Sequence, residues 1–281
     1  MATTMPSIAL PGGETIPVLG QGTWQMAESR NRRAEEIDAL RAGIDLGMTL
    51  IDTAEMYGEG AAEELIAEAI EGRRNDVFIV SKVLPENASR QGTIRACERS
   101  LKRLRTDRID LYLLHWRGSV PLSQTIGAFE TLVSDGKIVS WGVSNFDVED
   151  MEELLALPGG GACAINQVLF NLTRRGIELG LIPWSRPHRI PIMAYSPVEQ
   201  GRLLRVPALR KVAERLAATP AQVALAWVLA QPDVCAIPKA GNVPHVKENH
   251  AALALRLTPQ DMVALDAAFP PPKKKVPLEM L

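Results

Sequence analysis

Residues 109–116 read IDLYLLHW, and this stretch decides the architecture. Its body is almost continuously apolar, and it stops abruptly at an imidazole and an indole. A strand with one face in water alternates apolar and polar residues. A strand of a parallel sheet is covered on both faces and reads as an apolar run. Before it comes DVFIVSK (76–82) and after it IVSWGVSN (138–145), each again ending on polar groups. Thr93–Leu104 and Leu122–Ser134, the segments between these runs, carry apolar residues at helical period. Strand and helix in strict alternation build a parallel sheet.

The alternation spans the chain. SIAL (7–10) and IPVLG (16–20) flank the turn-rich PGGET (11–15) and predict an entry hairpin. A first barrel strand follows around Val18–Gly22, with a helix over Arg33–Leu46. TLIDTA (49–54) leads to a helix from Ala61. In the second half, a helix over Val148–Leu155 precedes ACAINQV (162–168), and a helix within Gly176–Pro183 precedes IPIMAYS (190–196). Helices over Pro207–Ala217 and Pro220–Ala230 then lead to VCAIPKA (234–240), a helix from Pro244 and a last one near Thr258. Thr219-Pro220 and Thr258-Pro259 each supply an N-cap followed by proline at the first helical position. Eight strands, each followed by helix, predict an α/β fold, a (β/α)₈ TIM barrel with an N-terminal β-hairpin and extra helices, spanning residues 1–281 as one domain. A doubly wound open sheet is the alternative.

With 281 residues, 46% hydrophobic and 23% charged, the chain can bury a large core. Its net charge of −2 gives no pull toward nucleic acid or an anionic membrane. Lys273–Lys275, flanked by prolines, reads as a solvated tail. No run approaches the roughly 18 apolar residues of a membrane span, and MATTMPSIALPGGE lacks the basic start and apolar run of a leader. Cys97, Cys163 and Cys235 stand far apart and read as packing residues. His245 and His250 are not at metal-ligand spacing, and no metal is expected. A monomer in the cytoplasm is the expectation.

Active sites of such barrels lie at the C-terminal ends of the strands. Here those ends carry Asp52 with Tyr57 beyond it, Lys82, His115-Trp116, Ser144-Asn145, Asn166-Gln167, Tyr195-Ser196 and Lys239. One charged residue at a strand end is ordinarily a solvated rim group. An acid, a phenol, an amine and an imidazole at one mouth make a coherent set. The ammonium would lower the phenol's pKa, the carboxylate would hold the ammonium, and the imidazole would orient a substrate oxygen. A carbonyl over that phenol could be protonated, but its reduction also needs a hydride, which implies a cofactor. No G-x-G-x-x-G follows a strand: GEGAAE lacks the third glycine and LPGGGA has the wrong spacing.

GQGTW, IDTAEMYGEG, SKV, IDLYLLHW, GVSNF, NQV, AYSP and IPKAGNVPHVKEN occur in the order and spacing of the aldo-keto reductases, which the chain resembles over essentially its whole length. The resemblance implies a catalytic tetrad of Asp52, Tyr57, Lys82 and His115. Gly22, Thr23 and Trp24 would line the pocket, with Trp116 beside the substrate. Tyr195 would stack on a nicotinamide whose carboxamide Ser144, Asn145 and Gln167 hold. The segment from Ser196 to Leu203, with Ser196, Pro197, Gly201 and Leu203 as contacts, would cover the pyrophosphate; Lys239, Glu248 and Asn249 would meet the adenosine end, and Ile237, Ala240 and His245 would also bind the cofactor. Members selective for NADPH often have serine or threonine after the Lys239 position and arginine six residues after it; here Ala240 and His245 stand there. NADPH is the expected cofactor, with NADH as the alternative.

The short segments at the barrel mouth imply a small, open pocket. IDTAEMYG, LYLLHW, NQVLFNL and ALPGG point to the bacterial branch that reduces methylglyoxal and other small aldehydes. Two other functions compete: a Schiff-base aldolase with Lys82 as nucleophile, and a non-catalytic nicotinamide-binding regulatory subunit.

Overall fold

The computed structural model describes residues 5–281; the first four residues, part of the stretch read for a leader, lie outside it. Strands β1 (Ser7–Ala9) and β2 (Thr15–Pro17) form the antiparallel entry hairpin. The parallel sheet then runs in sequence order through β3 (Gln21–Gly22), β4 (Leu50–Asp52), β5 (Phe78–Val83), β6 (Ile109–Leu114), β7 (Ile138–Ser144), β8 (Cys163–Leu169), β9 (Ile192–Tyr195) and β10 (Val234–Ala236). Gly20 N–H donates to the carbonyl of Ala236 at 2.8 Å, and Gly22 N–H to that of Pro238 at 3.0 Å. Parallel bridges Leu19–Ala236 and Gly22–Lys239 join the first and last strands. The sheet therefore closes on itself as a barrel.

The continuous apolar runs divide by strand period. Leu50, Val80, Leu111, Leu113, Met193, Cys235 and Ile237 point inward and form the barrel's interior cluster. Ile51, Ile79, Tyr112, Leu114, Ala194 and Ala236 point outward into the larger layer beneath the helices. Leu10 and Ile16 of the hairpin join the interior cluster and plug its N-terminal end. The inward rows run on upward: Asp52 follows Leu50, Lys82 follows Val80, and Tyr195 follows Met193.

Helices α1 (Arg33–Asp45), α2 (Ala61–Ala69), α3 (Arg90–Leu104), α4 (Leu122–Ser134) and α5 (Val148–Ala156) surround the first half. Helix α3 begins three residues before the expected start, because Ser89 caps it by accepting the Gly92 N–H at 3.2 Å. The helix expected within Gly176–Pro183 divides into a 3₁₀ turn (Gly176–Leu179) and α6 (Leu181–His188). Pro183 sits in the first turn of α6, where its missing N–H costs no helical bond. Helices α7 (Pro207–Arg215), α8 (Pro220–Leu229), α9 (Val243–Ala251) and α10 (Pro259–Ala268) complete the ring. Thr219 and Thr258 each form a capping box, with Gln222 and Asp261. Cys97, Cys163 and Cys235 are buried and unpaired. Among the described residues no helix is long and apolar enough to cross a membrane, and no cluster of three or more His, Cys, Asp or Glu could hold a metal ion.

Candidate active site

The C-terminal mouth of the barrel opens into a cavity of about 690 Å³. Its floor is a chain of hydrogen bonds. Lys82 Nζ donates to the Asp52 carboxylate at 2.8 Å, to the carbonyl of Thr53 at 2.8 Å and to the Tyr57 hydroxyl at 3.2 Å. These three acceptors use all three ammonium protons. Lys82 is fully buried and Asp52 nearly so. On its other side Asp52 accepts from Gln167 Nε2 at 2.7 Å, and the same nitrogen touches Met193 Sδ at 2.9 Å.

Tyr57 stands on a 3₁₀ turn, Tyr57–Gly60, between β4 and α2. Gly58, Glu59 and Gly60 take left-handed φ of 56°, 54° and 96°, which swings the chain back and leaves the phenol over the lysine. At Gly60 only glycine fits on two counts. Its φ disfavours a side chain, and a Cβ there would lie 2.5 Å from Arg103 Cδ. Arg103 in turn donates to Glu63 at 2.6 Å, and Glu63 accepts from Ser81 at 2.6 Å. Ser81 faces outward where Lys82 faces inward, so this buried network fastens the turn bearing Tyr57 to the strand bearing Lys82.

The electrostatics correct one expectation. The neighbouring ammonium was expected to lower the phenol's pKa; instead burial holds Tyr57 well above the ordinary value, and the Asp52 charge adds to the effect. Burial likewise raises the Asp52 carboxyl and lowers the Lys82 ammonium, with each partner opposing the shift of the other. His115 is pushed down to about 2, first by burial and then by the Lys82 charge. The imidazole is therefore neutral at pH 7. Its Nδ1 is buried with no hydrogen-bond partner among the described residues, and its ring meets Tyr57 edge-on at 5.9 Å between centroids.

Trp24 and Trp116 line the cavity beside Tyr57 and His115, Trp24 packing against Tyr57 at 5.0 Å. Gly22, Ser144, Asn145, Gln167, Tyr195, Ser196, Pro197 and Gly201 also line it, as do Ile237, Lys239, His245, Glu248 and Asn249. Asn145 Nδ2 donates to the His115 carbonyl at 3.1 Å, and its Oδ1 accepts from the Tyr195 hydroxyl at 3.0 Å. Lys82 lies just beneath the lining, under Tyr57, and three expected contacts lie outside it. Thr23 is buried and donates to the Asp52 carbonyl at 2.9 Å. Leu203 and Ala240 belong to the apolar core, and it is Leu204 that faces the cavity.

Sequence reasoning missed Gln25, Met56, Ala221, Met280 and Leu281, all of which line the cavity. The tail's Lys273–Lys275 are exposed, but its last residues turn back, and the Leu281 N–H reaches the Tyr195 hydroxyl at 3.4 Å. Composition gave no signal for that return.

Residues 18–269 match the family model described as "Aldo/keto reductase family". The chain belongs to the aldo/keto reductase family. It is 50% identical over 279 residues to methylglyoxal reductase YeaE of Escherichia coli K12, covering 98% of each chain. It is 35% identical over 269 residues to glyoxal reductase of Bacillus subtilis, covering 93% of this chain and 92% of that one. A crystal structure of an aldo/keto reductase from Klebsiella pneumoniae, in complex with NADP and acetate, superposes with a TM-score of 0.96 at 47% identity, covering 99% of this chain and 100% of that one.

Proposed function

We propose that this aldo/keto reductase reduces small aldehydes and ketones, methylglyoxal among them, to alcohols with NADPH, and that Tyr57 is the general acid. The observation that carries the reading is Lys82 Nζ set between the Asp52 carboxylate and the Tyr57 hydroxyl on the cavity floor. The cavity also suits the cofactor. The hydroxyl of Ser196, a residue with a left-handed φ of 51°, is buried with no partner among the described residues, and Lys239 brings a cation to the far end. These are donors for a phosphate-bearing ligand. When bound, the reduced nicotinamide supplies the hydride that no side chain can deliver.

The protein's own groups handle the proton. Tyr57, held in the acid form by burial, gives its proton to the carbonyl oxygen. The Lys82 ammonium then stabilises the phenolate oxygen, a stabilisation realised mainly as charge develops. Asp52 and the Thr53 carbonyl keep that ammonium aimed. Neutral His115 has no acceptor for a proton on Nδ1, so its one N–H belongs on Nε2, where it can orient the carbonyl. Ser144, Asn145, Gln167, Tyr195, Ser196 and Lys239 hold the cofactor, and Trp24 and Trp116 confine a small substrate. We further propose that residues 1–281 work as a single domain, as a monomer in the cytoplasm.

Tyr57→Phe removes the transferable proton while keeping the ring. Turnover of methylglyoxal with NADPH should fall by roughly 100- to 10,000-fold, with NADPH affinity near that of the parent. Undiminished turnover would sink the mechanism. The aldolase reading fares poorly, because a lysine whose three protons are all engaged and whose Nζ is sealed from solvent presents no lone pair to a carbonyl. A non-catalytic subunit would bind NADPH and turn over no aldehyde in the same assay.

A further inference from the structure

The structure brings an arginine from the start of the barrel, Arg32, close to Lys239 at the end of the last strand. Arg32 ends a short 3₁₀ turn, Arg30–Arg32, just before α1. Gly241 lies between β10 and α9. A Cβ on Gly241 would sit 2.7 Å from Arg32 Nη2 and 3.3 Å from Lys239 Nζ. The two cationic groups thus converge on one small volume, and the glycine leaves room for the guanidinium to lie against the turn.

Two like charges brought together repel, and such an arrangement is relieved by an anion between them. Arg32 is only loosely neutralised: its Nε meets Glu35 at 3.6 Å, with both side chains about half exposed, a contact worth little in water. Helix α9 opens immediately after Gly241, with Asn242 as N-cap. Its positive end adds to the potential at the same spot. Lys239, His245 and Asn249 line the adjoining end of the cavity.

We propose that Arg32 and Lys239 together bind the 2′-phosphate of NADPH, with Arg32 serving as the specificity-determining cation in place of an arginine at 245. The proposal rests on the reading that the cavity takes a nicotinamide dinucleotide. The planar guanidinium can give two parallel N–H bonds to phosphate, while the ammonium acts as a point charge. NADH offers a neutral hydroxyl at that position and gains nothing from the pair. Arg32 therefore sets the ratio of the two affinities and leaves the chemistry at Tyr57 untouched.

Calorimetric titration of the full chain with 2′,5′-ADP, 5′-AMP, inorganic phosphate, NADPH and NADH tests this. Arg32→Ala should weaken 2′,5′-ADP and NADPH by about 10-fold or more and change 5′-AMP and NADH by less than about twofold. Arg32→Lys, which keeps the charge, should fall between. Equal loss for 2′,5′-ADP and 5′-AMP, or loss for neither, would overturn the assignment. So would a parent protein that binds NADH as tightly as NADPH. Arg32-dependent binding of inorganic phosphate, with no preference for 2′,5′-ADP over 5′-AMP, would assign the pair to free phosphate and overturn it as well. A parent that binds neither dinucleotide would refute the cofactor reading itself, an outcome distinct from all of these.

Discussion

Replacing Asp52 by Asn tests the buried pair directly. The substitution keeps shape and volume but removes the carboxylate charge paired with an ammonium that has no solvent exposure. Asn also replaces one carboxylate oxygen by an NH₂, which sets a donor against a donor on the side of either Lys82 or Gln167. Breaking a buried ion pair from one side costs about 3–5 kcal/mol, a large part of the roughly 5–15 kcal/mol of a typical domain. At an unfolding entropy of about 2.1 cal/mol/K per residue over 281 residues, the melting temperature should fall by about 5–8 °C. Burial already lowers the ammonium's pKa; without Asp52 that shift is less opposed, the pKa should fall further, and turnover should fall with it. Calorimetric melting and steady-state turnover of Asp52→Asn, Lys82→Met and the double variant form a double-mutant cycle. The double variant should lose clearly less stability than the two single losses combined, because it leaves no unpaired charge. Strict additivity, or an unchanged melting temperature in Asp52→Asn, would refute the reasoning.

The pH dependence follows from Tyr57 and His115. A phenol held above its ordinary value of ~10 stays a competent acid until pH rises through that raised pKa, and an imidazole at about 2 stays neutral well below ~6.5. kcat should therefore be level from about pH 5 to about pH 9, and a limb at about pH 6–7 that disappears in His115→Asn would contradict this. The unfolded chain binds a proton at His115 below ~6.5 that the folded protein excludes. That site should therefore reduce stability as pH falls below ~6.5, measurable as a smaller pH slope in denaturant melts of the same variant. Gly60→Ala should destabilise the protein by about 1–3 kcal/mol, since it meets both the left-handed φ and the Arg103 side chain. It should also lower kcat more than cofactor affinity, because the turn carries Tyr57; parent-like melting and turnover would refute that.

The barrel was legible because parallel strands buried on both faces announce themselves as apolar runs, and IDLYLLHW did so most clearly. The polar groups that end those runs marked the mouth, and the resemblance to the aldo-keto reductases singled out Asp52, Tyr57, Lys82 and His115 among them. Three features were not legible. The direction of the Tyr57 shift depends on how deeply the phenol is sealed, which no spacing encodes. Leu203 and Leu204 differ only in which way an irregular turn faces them; Gln200 and Gly201 there have φ of 53° and 83°, so neither strand nor helix period applies. The approach of Arg32 to Lys239 joins residues at opposite ends of the sequence across the barrel's seam, and only closure of the sheet creates it.

The hairpin plug governs molecular traffic. With Leu10 and Ile16 seated among the inward residues at the bottom, the described barrel opens to its reaction chamber only from the top. On the proposed reading, a long dinucleotide reaching from Tyr195 to Lys239 and a small carbonyl over Tyr57 would share that doorway. Whichever of the two lay deeper would have to arrive first and depart last, because the packed interior and its plug leave no second way out.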